Sequence, residues 1–192
     1  MYTRDVLKHG VFDLIGDTVF EIDNAYFAHI RHSVETLVKR TLSRHKGDTI
    51  LEIGPSTNKE RRLAATCETV DIVDGNDTKY VADLTRENDL PKNHFDAVYC
   101  LEVLEHTYEP WEMIKQMHAL LKDGGHLYIS VPFQFRLHGP LPDCYRISEY
   151  GMRYLLEKNG FDILLFEALV DESRPAFPIH YALECIKKKA SS

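Results

Sequence analysis

Apolar residues recur at helical spacing near the start of the chain, at Phe20, Phe27, Ile30, Val34, Leu37, Val38 and Leu42 with Asn24 in the same register. They predict one long helix within residues 1–46, which His45-Lys46-Gly47-Asp48 brings to an end. The pattern then shortens. Thr49-Ile50-Leu51-Glu52-Ile53 is β-branched and apolar apart from Glu52, and the turn formers Gly54, Pro55, Ser56 and Asn58 stop it. Helical spacing resumes at Lys59, so the order is strand, loop, helix, the first half of a parallel α/β unit.

Similar runs continue the alternation. Glu68 to Val73, Tyr80 to Leu84, Phe95 to Cys100 and His126 to Val131 read as strands, and Pro132 ends the last of them. A helix containing Trp111, Ile114, Met117 and Leu121 is closed by Lys122-Asp123-Gly124-Gly125, and a second runs from Ser148 to Lys158. Phe161 to Val170 and His180 to Lys188 are the last two strands. Their connection contains no helical pattern, which makes them antiparallel neighbours. The fold class is therefore α/β, a Rossmann-like, mostly parallel sheet with helices on both faces. The expected organisation is a single domain over 1–192, with 1–46 as a helical cap and 47–192 as the core.

In such sheets ligands bind beyond the carboxyl ends of the strands, where loops enter helices. Gly54 to Asn58 is the first such place. Asp71 follows at the end of the second strand, at about the 20-residue spacing that suits a ribose diol, whereas Asp74 reads as a turn residue before Gly75-Asn76-Asp77. Tyr26, Phe27, His29 and His32 on the first helix have two readings, packing with a solvated face or a cover over the cleft.

Composition narrows the class. With 44% apolar and 28% charged residues the 192-residue chain is an ordinary globular protein, and a net charge of -7 argues against a nucleic-acid partner. No apolar stretch reaches membrane-spanning length and Met1-Tyr2-Thr3-Arg4-Asp5 does not open a signal peptide, so a cytoplasmic location is expected. Cys67, Cys100, Cys144 and Cys185 form no C-x-x-C pair, and the ten histidines show no ligand spacing, so no metal held by protein ligands is expected.

Singly these signals are weak, but they come in an order. Leu51-Glu52-Ile53-Gly54, Asp71, Ala82-Asp83-Leu84, Phe95-Asp96-Ala97-Val98, Glu102-Val103-Leu104-Glu105-His106 and Leu121-Lys122-Asp123-Gly124-Gly125 succeed one another at strand-helix intervals. As a set, over roughly residues 48–170, they resemble the class I S-adenosylmethionine-dependent methyltransferases. The resemblance implies a seven-stranded sheet with one reversed terminal strand and S-adenosylmethionine as cofactor. It also implies roles. Gly54, Pro55 and Ser56 would approach the methionine part and Glu52 would orient its amino group. Asp71 with Ile72 would hold the ribose, Asp83 with Leu84 would meet the adenine, and Leu101 and Glu102 would line the site near the sulfonium. The chain departs from the family pattern at Ser56 and Asn58, where glycines are usual, and at Pro55, which lacks an amide donor. Binding is expected to survive, because this cofactor has no pyrophosphate that needs a full glycine cradle.

Transfer to a hydroxyl benefits from a base, and His106 and His138 both follow central strands. His106 equally fits a helix-start residue beside Glu102 and Glu105. His138 lies in a loop dense in polar and aromatic groups, Phe133 to Ile147, of a kind similar to one in small methyltransferases of glycan and natural-product pathways. There Asp143 and Arg146 form either a loop-holding ion pair or a substrate contact. Tyr145 fits either role, and Arg136 with Arg146 suits an anionic acceptor. Three functions stay open: O-methylation of a small polar acceptor such as a sugar or natural-product intermediate, N-methylation of a small amine, and a noncatalytic binding subunit.

Overall fold

The computed structural model describes residues 12–55, 63, 67–75, 78–139 and 142–189, with 12–24 as helical backbone alone. Helix α1 spans Phe12–Leu42, so the expected positions Phe20 and Asn24 lie outside the described side chains. The strands are β1 (Ile50–Ile53), β2 (Glu68–Asp71), β3 (Tyr80–Val81), β4 (Phe95–Leu101), β5 (Leu121–Pro132), β6 (Phe161–Val170) and β7 (Pro178–Lys187). Helices α2 (Pro110–Leu120) and α3 (Glu149–Lys158) flank β5, and a single 3-10 turn, Leu104–His106, follows β4. Ser56, Asn58 and the helix expected from Lys59 lie outside the described residues.

All seven strands join one sheet in the order β3-β2-β1-β4-β5-β7-β6. Pairing is parallel from β3 to β5, and β7 alone runs backwards, inserted between β5 and β6. The helix-free link between the last two strands dictates this reversal.

Alternation along the central strands sorts the core into two layers. Val98 and Cys100 of β4 with Leu127 and Ile129 of β5 point to one face, where Met113, Ile114, Met117 and Leu120 of α2 and Met152 and Leu156 of α3 cover them. Ala97, Tyr99 and Tyr128 point to the other, beneath Leu37 of α1. Two buried phenols sit in that second layer, and each finds a partner. Tyr99 Oη lies 3.0 Å from Thr41 Oγ1 and Tyr128 Oη 2.8 Å from His45 Nε2. Arg40 and Arg44 add bidentate pairs to Glu167 on β6 and Glu184 on β7.

Three boundaries differ from the sequence expectation, each for a local reason. Strand β2 stops at Asp71 because that side chain accepts the Val73 amide at 3.2 Å and turns the chain, leaving Ile72 and Val73 exposed. Strand β3 stops at Val81, and Asp83 Oδ1 then accepts both the amide and the hydroxyl of Thr85. Helix α2 ends not at the glycine pair but at Leu121, whose extended backbone starts β5. Lys122 to Gly125 then bulge out of the β4 ladder, with Gly124 at a φ of +77°.

Candidate active site

Strand order reverses between β1 and β4, and a cleft of about 650 Å3 opens at their carboxyl ends. Its floor is Glu52, Ile53 and Gly54 from β1 with Leu101 and Glu102 from β4; α1 supplies Phe27, Ile30, Arg31 and Val34, and Phe135, His138 and Gly139 close it from the loop after β5. The volume falls in the range of ligand sites, about 300–1,000 Å3.

Gly54 shows why the floor is bare. Its φ is +61° and a Cβ there would meet Val103 Cγ2 at 2.8 Å, so backbone alone faces the cleft. Beside it Glu52 is 7% exposed and accepts the Leu63 amide at 3.4 Å. A buried carboxylate next to open backbone fits the amino-acid end of S-adenosylmethionine.

Glu102 is a second unusual backbone, a non-glycine residue at φ +55°. Its side chain is fixed by two groups from the far strands: Ser130 donates to Oε1 at 2.8 Å and His180 Nε2 lies 2.7 Å from the same oxygen. Burial works to raise the Glu102 carboxyl, but the His180 ring and the Ser130 hydroxyl outweigh it and hold the group below the usual carboxylate range.

Farther along the cleft wall the 3-10 turn meets the loop after β5. The Glu105 carbonyl accepts the amides of Cys144 and Tyr145 at 2.7 and 3.2 Å, which stitches the loop to the turn. Glu105's side chain is 1% exposed and faces two imidazoles, with Oε1 at 3.6 Å from both His106 Nε2 and His138 Nε2. Burial and the nearby Glu102 push this carboxyl well above the usual range. His106 Nδ1 lies 2.9 Å from the Pro142 carbonyl and His138 Nδ1 3.1 Å from Asp143 Oδ2. The carbonyl can only accept, so His106 donates from Nδ1 and turns Nε2 to the cluster, whereas His138 Nδ1 faces the carboxylate without forming a hydrogen bond. Burial lowers the His138 imidazole below the usual histidine range, against the pull of Asp143.

The expected residues separate into groups. Glu52, Gly54, Leu101, Glu102, His106 and His138 come together on the cleft. Pro55 follows Gly54, and Ser56 lies outside the described residues. Asp71, Ile72, Asp83 and Leu84 stand on the β2 and β3 side of the same sheet edge, Ile72 exposed and Leu84 in the core. Asp143 and Arg146 form the loop-holding pair. Arg146 donates to Asp143 at 2.5 and 2.7 Å and to the Phe135 and Arg136 carbonyls at 3.2 and 2.8 Å. Tyr145 donates to the Tyr108 carbonyl, Arg136 packs on Phe135, and Tyr26 donates to Asp171 beneath β6, away from the cleft. Sequence reasoning missed His180 and Ser130 and gave Glu105 no role of its own.

A family model described as a methyltransferase domain matches residues 26–166. The ubiquinone biosynthesis O-methyltransferase of Pseudomonas paraeruginosa is 35% identical over 63 residues, which is 33% of this chain and 25% of that protein. The match thus spans a quarter of the relative's length. Among solved structures, an S-adenosylmethionine-dependent methyltransferase from Mesorhizobium loti aligns with a TM-score of 0.54 at 17% identity, covering 73% of this chain and 91% of that one. The Burkholderia thailandensis 1,6-didemethyltoxoflavin-N1-methyltransferase, solved with its acceptor and S-adenosylhomocysteine, aligns at 0.57 and 18% identity, covering 87% and 91%. With the family match, the sheet order and the bare end of β1 in agreement, this chain belongs to the class I S-adenosylmethionine-dependent methyltransferases.

Proposed function

We propose that the protein transfers a methyl group from S-adenosylmethionine to a hydroxyl of a small polar acceptor. When bound, the cofactor supplies a methyl carbon already activated by its sulfonium. The chain must then place the acceptor in line and take its proton. The observation that carries the hydroxyl reading is the pair of imidazoles, His106 and His138, that line the cleft wall with both Nε2 atoms 3.6 Å from Glu105 Oε1. An amine needs little more than desolvation, so two oriented rings suit an acceptor whose proton must leave. The likeness to ubiquinone biosynthesis O-methyltransferases supports the same reading.

His138 is the residue we assign as base, accepting the hydroxyl proton at Nε2 while the Asp143 carboxylate, 3.1 Å from Nδ1, stabilises the resulting imidazolium by its charge. Phe27 and Phe135 stack beside it, and Phe135 stands edge-on to its ring. A noncatalytic role would leave these oriented groups without a purpose. The test is a labelled-methyl assay against a panel of phenols, sugars and amines. Product on oxygen is expected, and His138→Ala should cut turnover by about 10²–10⁴ with cofactor affinity nearly unchanged. Product on nitrogen, or unchanged turnover in that variant, removes the assignment.

A further inference from the structure

The cluster facing His138 has a property that proton transfer alone leaves unexplained. Glu105 is 1% exposed, yet neither of its side-chain oxygens has a hydrogen-bond partner among the described residues. Its nearest polar neighbours, the two Nε2 atoms, stand at 3.6 Å, too far for a hydrogen bond. A buried carboxylate is ordinarily paired, hydrogen-bonded or coordinated to a metal. Here the three groups surround a gap instead of closing it.

We propose that Glu105, His106 and His138 form a binding site for a divalent first-row transition cation of the zinc type. Each contributes one atom, and the three atoms lie within 4.8 Å of one another. Ligands set about 2.1 Å from a shared tetrahedral ion are separated by roughly 3.4 Å, and the two carboxylate-to-imidazole distances of 3.6 Å are close to that. The outer contacts point the same way. A histidine ligand characteristically gives its other ring nitrogen to a carboxylate or a carbonyl; His106 Nδ1 bonds the Pro142 carbonyl, and His138 Nδ1 stands 3.1 Å from the Asp143 carboxylate, a charge contact that is not yet a hydrogen bond. Arg146 in turn clamps Asp143, which accepts the His138 backbone amide at 2.9 Å and so holds the loop that carries the ring.

Two nitrogens and one oxygen are the donor set of Zn2+, Fe2+ or Co2+, whereas Mg2+ and Ca2+ prefer oxygen throughout. Three protein ligands leave a coordination position, and His106 and His138 both face the cleft. Its use in turnover rests on the hydroxyl-methylation reading. With the cation bound the Nε2 lone pair of His138 is taken, so the base role assigned above belongs to the metal-free chain, and an acceptor hydroxyl at the open position would lose its proton to solvent because the cation lowers its pKa.

The experiment is read without turnover. The full chain, freed of metal by chelation, is titrated with Co2+ alone while visible absorption is followed. Displacement by Zn2+ comes next. One equivalent per chain with the intense bands of a low-coordinate site is expected, and Zn2+ should abolish them. Glu105→Gln and His138→Ala should each remove the bands, and Asp143→Asn should weaken binding by about 10- to 100-fold. Each variant is checked for S-adenosylmethionine binding, and His138→Ala, a change in a surface loop, stands in should Glu105→Gln not fold. No absorption bands, or bands that persist in the variants, overturn the site. A chain that binds Co2+ as predicted but methylates only nitrogen keeps the site and sinks the hydroxyl reading.

Discussion

His180 and Glu102 meet side chain to side chain, 2.7 Å apart, although one opens β7 and the other leaves β4 with β5 lying between them. His180 is fully buried, so Glu102 has a fixed partner at the point where its backbone enters the left-handed region. Removing the ring leaves the carboxylate with Ser130 alone. We expect His180→Ala to cost about 1.5–3 kcal/mol of stability, as for a hydrogen bond to a charged group. The positioning role predicts more than that loss. Because the His180 ring lowers the Glu102 carboxyl, its removal raises it, and the acid limb of cofactor binding should move to higher pH. Titrations with S-adenosylmethionine across pH check this, and an unmoved limb would limit His180 to packing.

Gly54 tests the bare end of β1. An alanine there suffers twice, from a positive φ that costs about 1–2 kcal/mol and from the approach of Val103 Cγ2 to the new Cβ. Gly54→Ala should therefore weaken cofactor binding and lower the unfolding midpoint. Adding Val103→Ala removes the clash but not the dihedral, so calorimetric titration should show partial recovery. Full recovery would mean that the backbone conformation is unimportant.

How much of this was legible follows from which contacts are local. The strand at Ile50–Ile53, its abrupt end at Gly54 and the reversal of the last strand all depend on patterns a few residues long or on the absence of a connecting helix. Glu105, His106 and His138 are different. The histidines are far apart in sequence and become neighbours only because the loop after β5 folds back and donates two amides to the Glu105 carbonyl. Ligand spacing along the chain has no access to that, and His180 was equally hidden because its partner lies two strands away. Asp143 and Arg146, three residues apart, were readable as a pair, but only the carbonyls of Phe135 and Arg136 show that the arginine is saturated within the loop.

That saturation has a measurable consequence. Asp143's side chain is fully buried, and Arg146→Ala would leave its charge without a counterpart. The expected loss is about 3–5 kcal/mol, measured by chemical denaturation. Arg146→Lys should recover little, since an ammonium cannot serve a carboxylate and two carbonyls in the planar geometry of a guanidinium. Near-complete recovery with lysine would show that charge alone matters there.

At the opposite end of the sheet, Asp96 ties the start of β4 to its neighbours. It accepts the Thr49 amide at 2.9 Å and the Lys122 ammonium at 2.7 and 2.8 Å. Burial acts to raise its carboxyl, but the ammonium and the amide outweigh this and hold it below the usual aspartate range. A folded-state value below the unfolded one means that the stabilisation is complete above the unfolded pKa, about 3.9, and is lost as pH falls through the lower folded value. Asp96→Asn should therefore lie below the parent in stability at pH 7 and converge with it in acid. A gap that stays constant from pH 7 down to pH 2 would exclude this carboxylate as its source.

Phe27 and Phe135 join α1 to the loop after β5, with ring centroids 6.2 Å apart, and Phe135 in turn stands edge-on to His138 at 5.4 Å. Phe27 is 39% exposed, so its ring lines the cleft and does not fill the core. Such a contact is worth about 0.5–1.5 kcal/mol beyond area burial, or roughly two- to tenfold in an equilibrium. On the proposed reading the cofactor takes the floor at Glu52 and Gly54 and the acceptor lies against α1, so the loss should fall on acceptor binding. Phe27→Ala is therefore expected to raise the acceptor KM by that factor and to leave the cofactor Kd alone. Phe27→Leu, which keeps apolar bulk without the stacked ring, should fall between. A rise in the cofactor Kd instead would put α1 over the wrong half of the cleft.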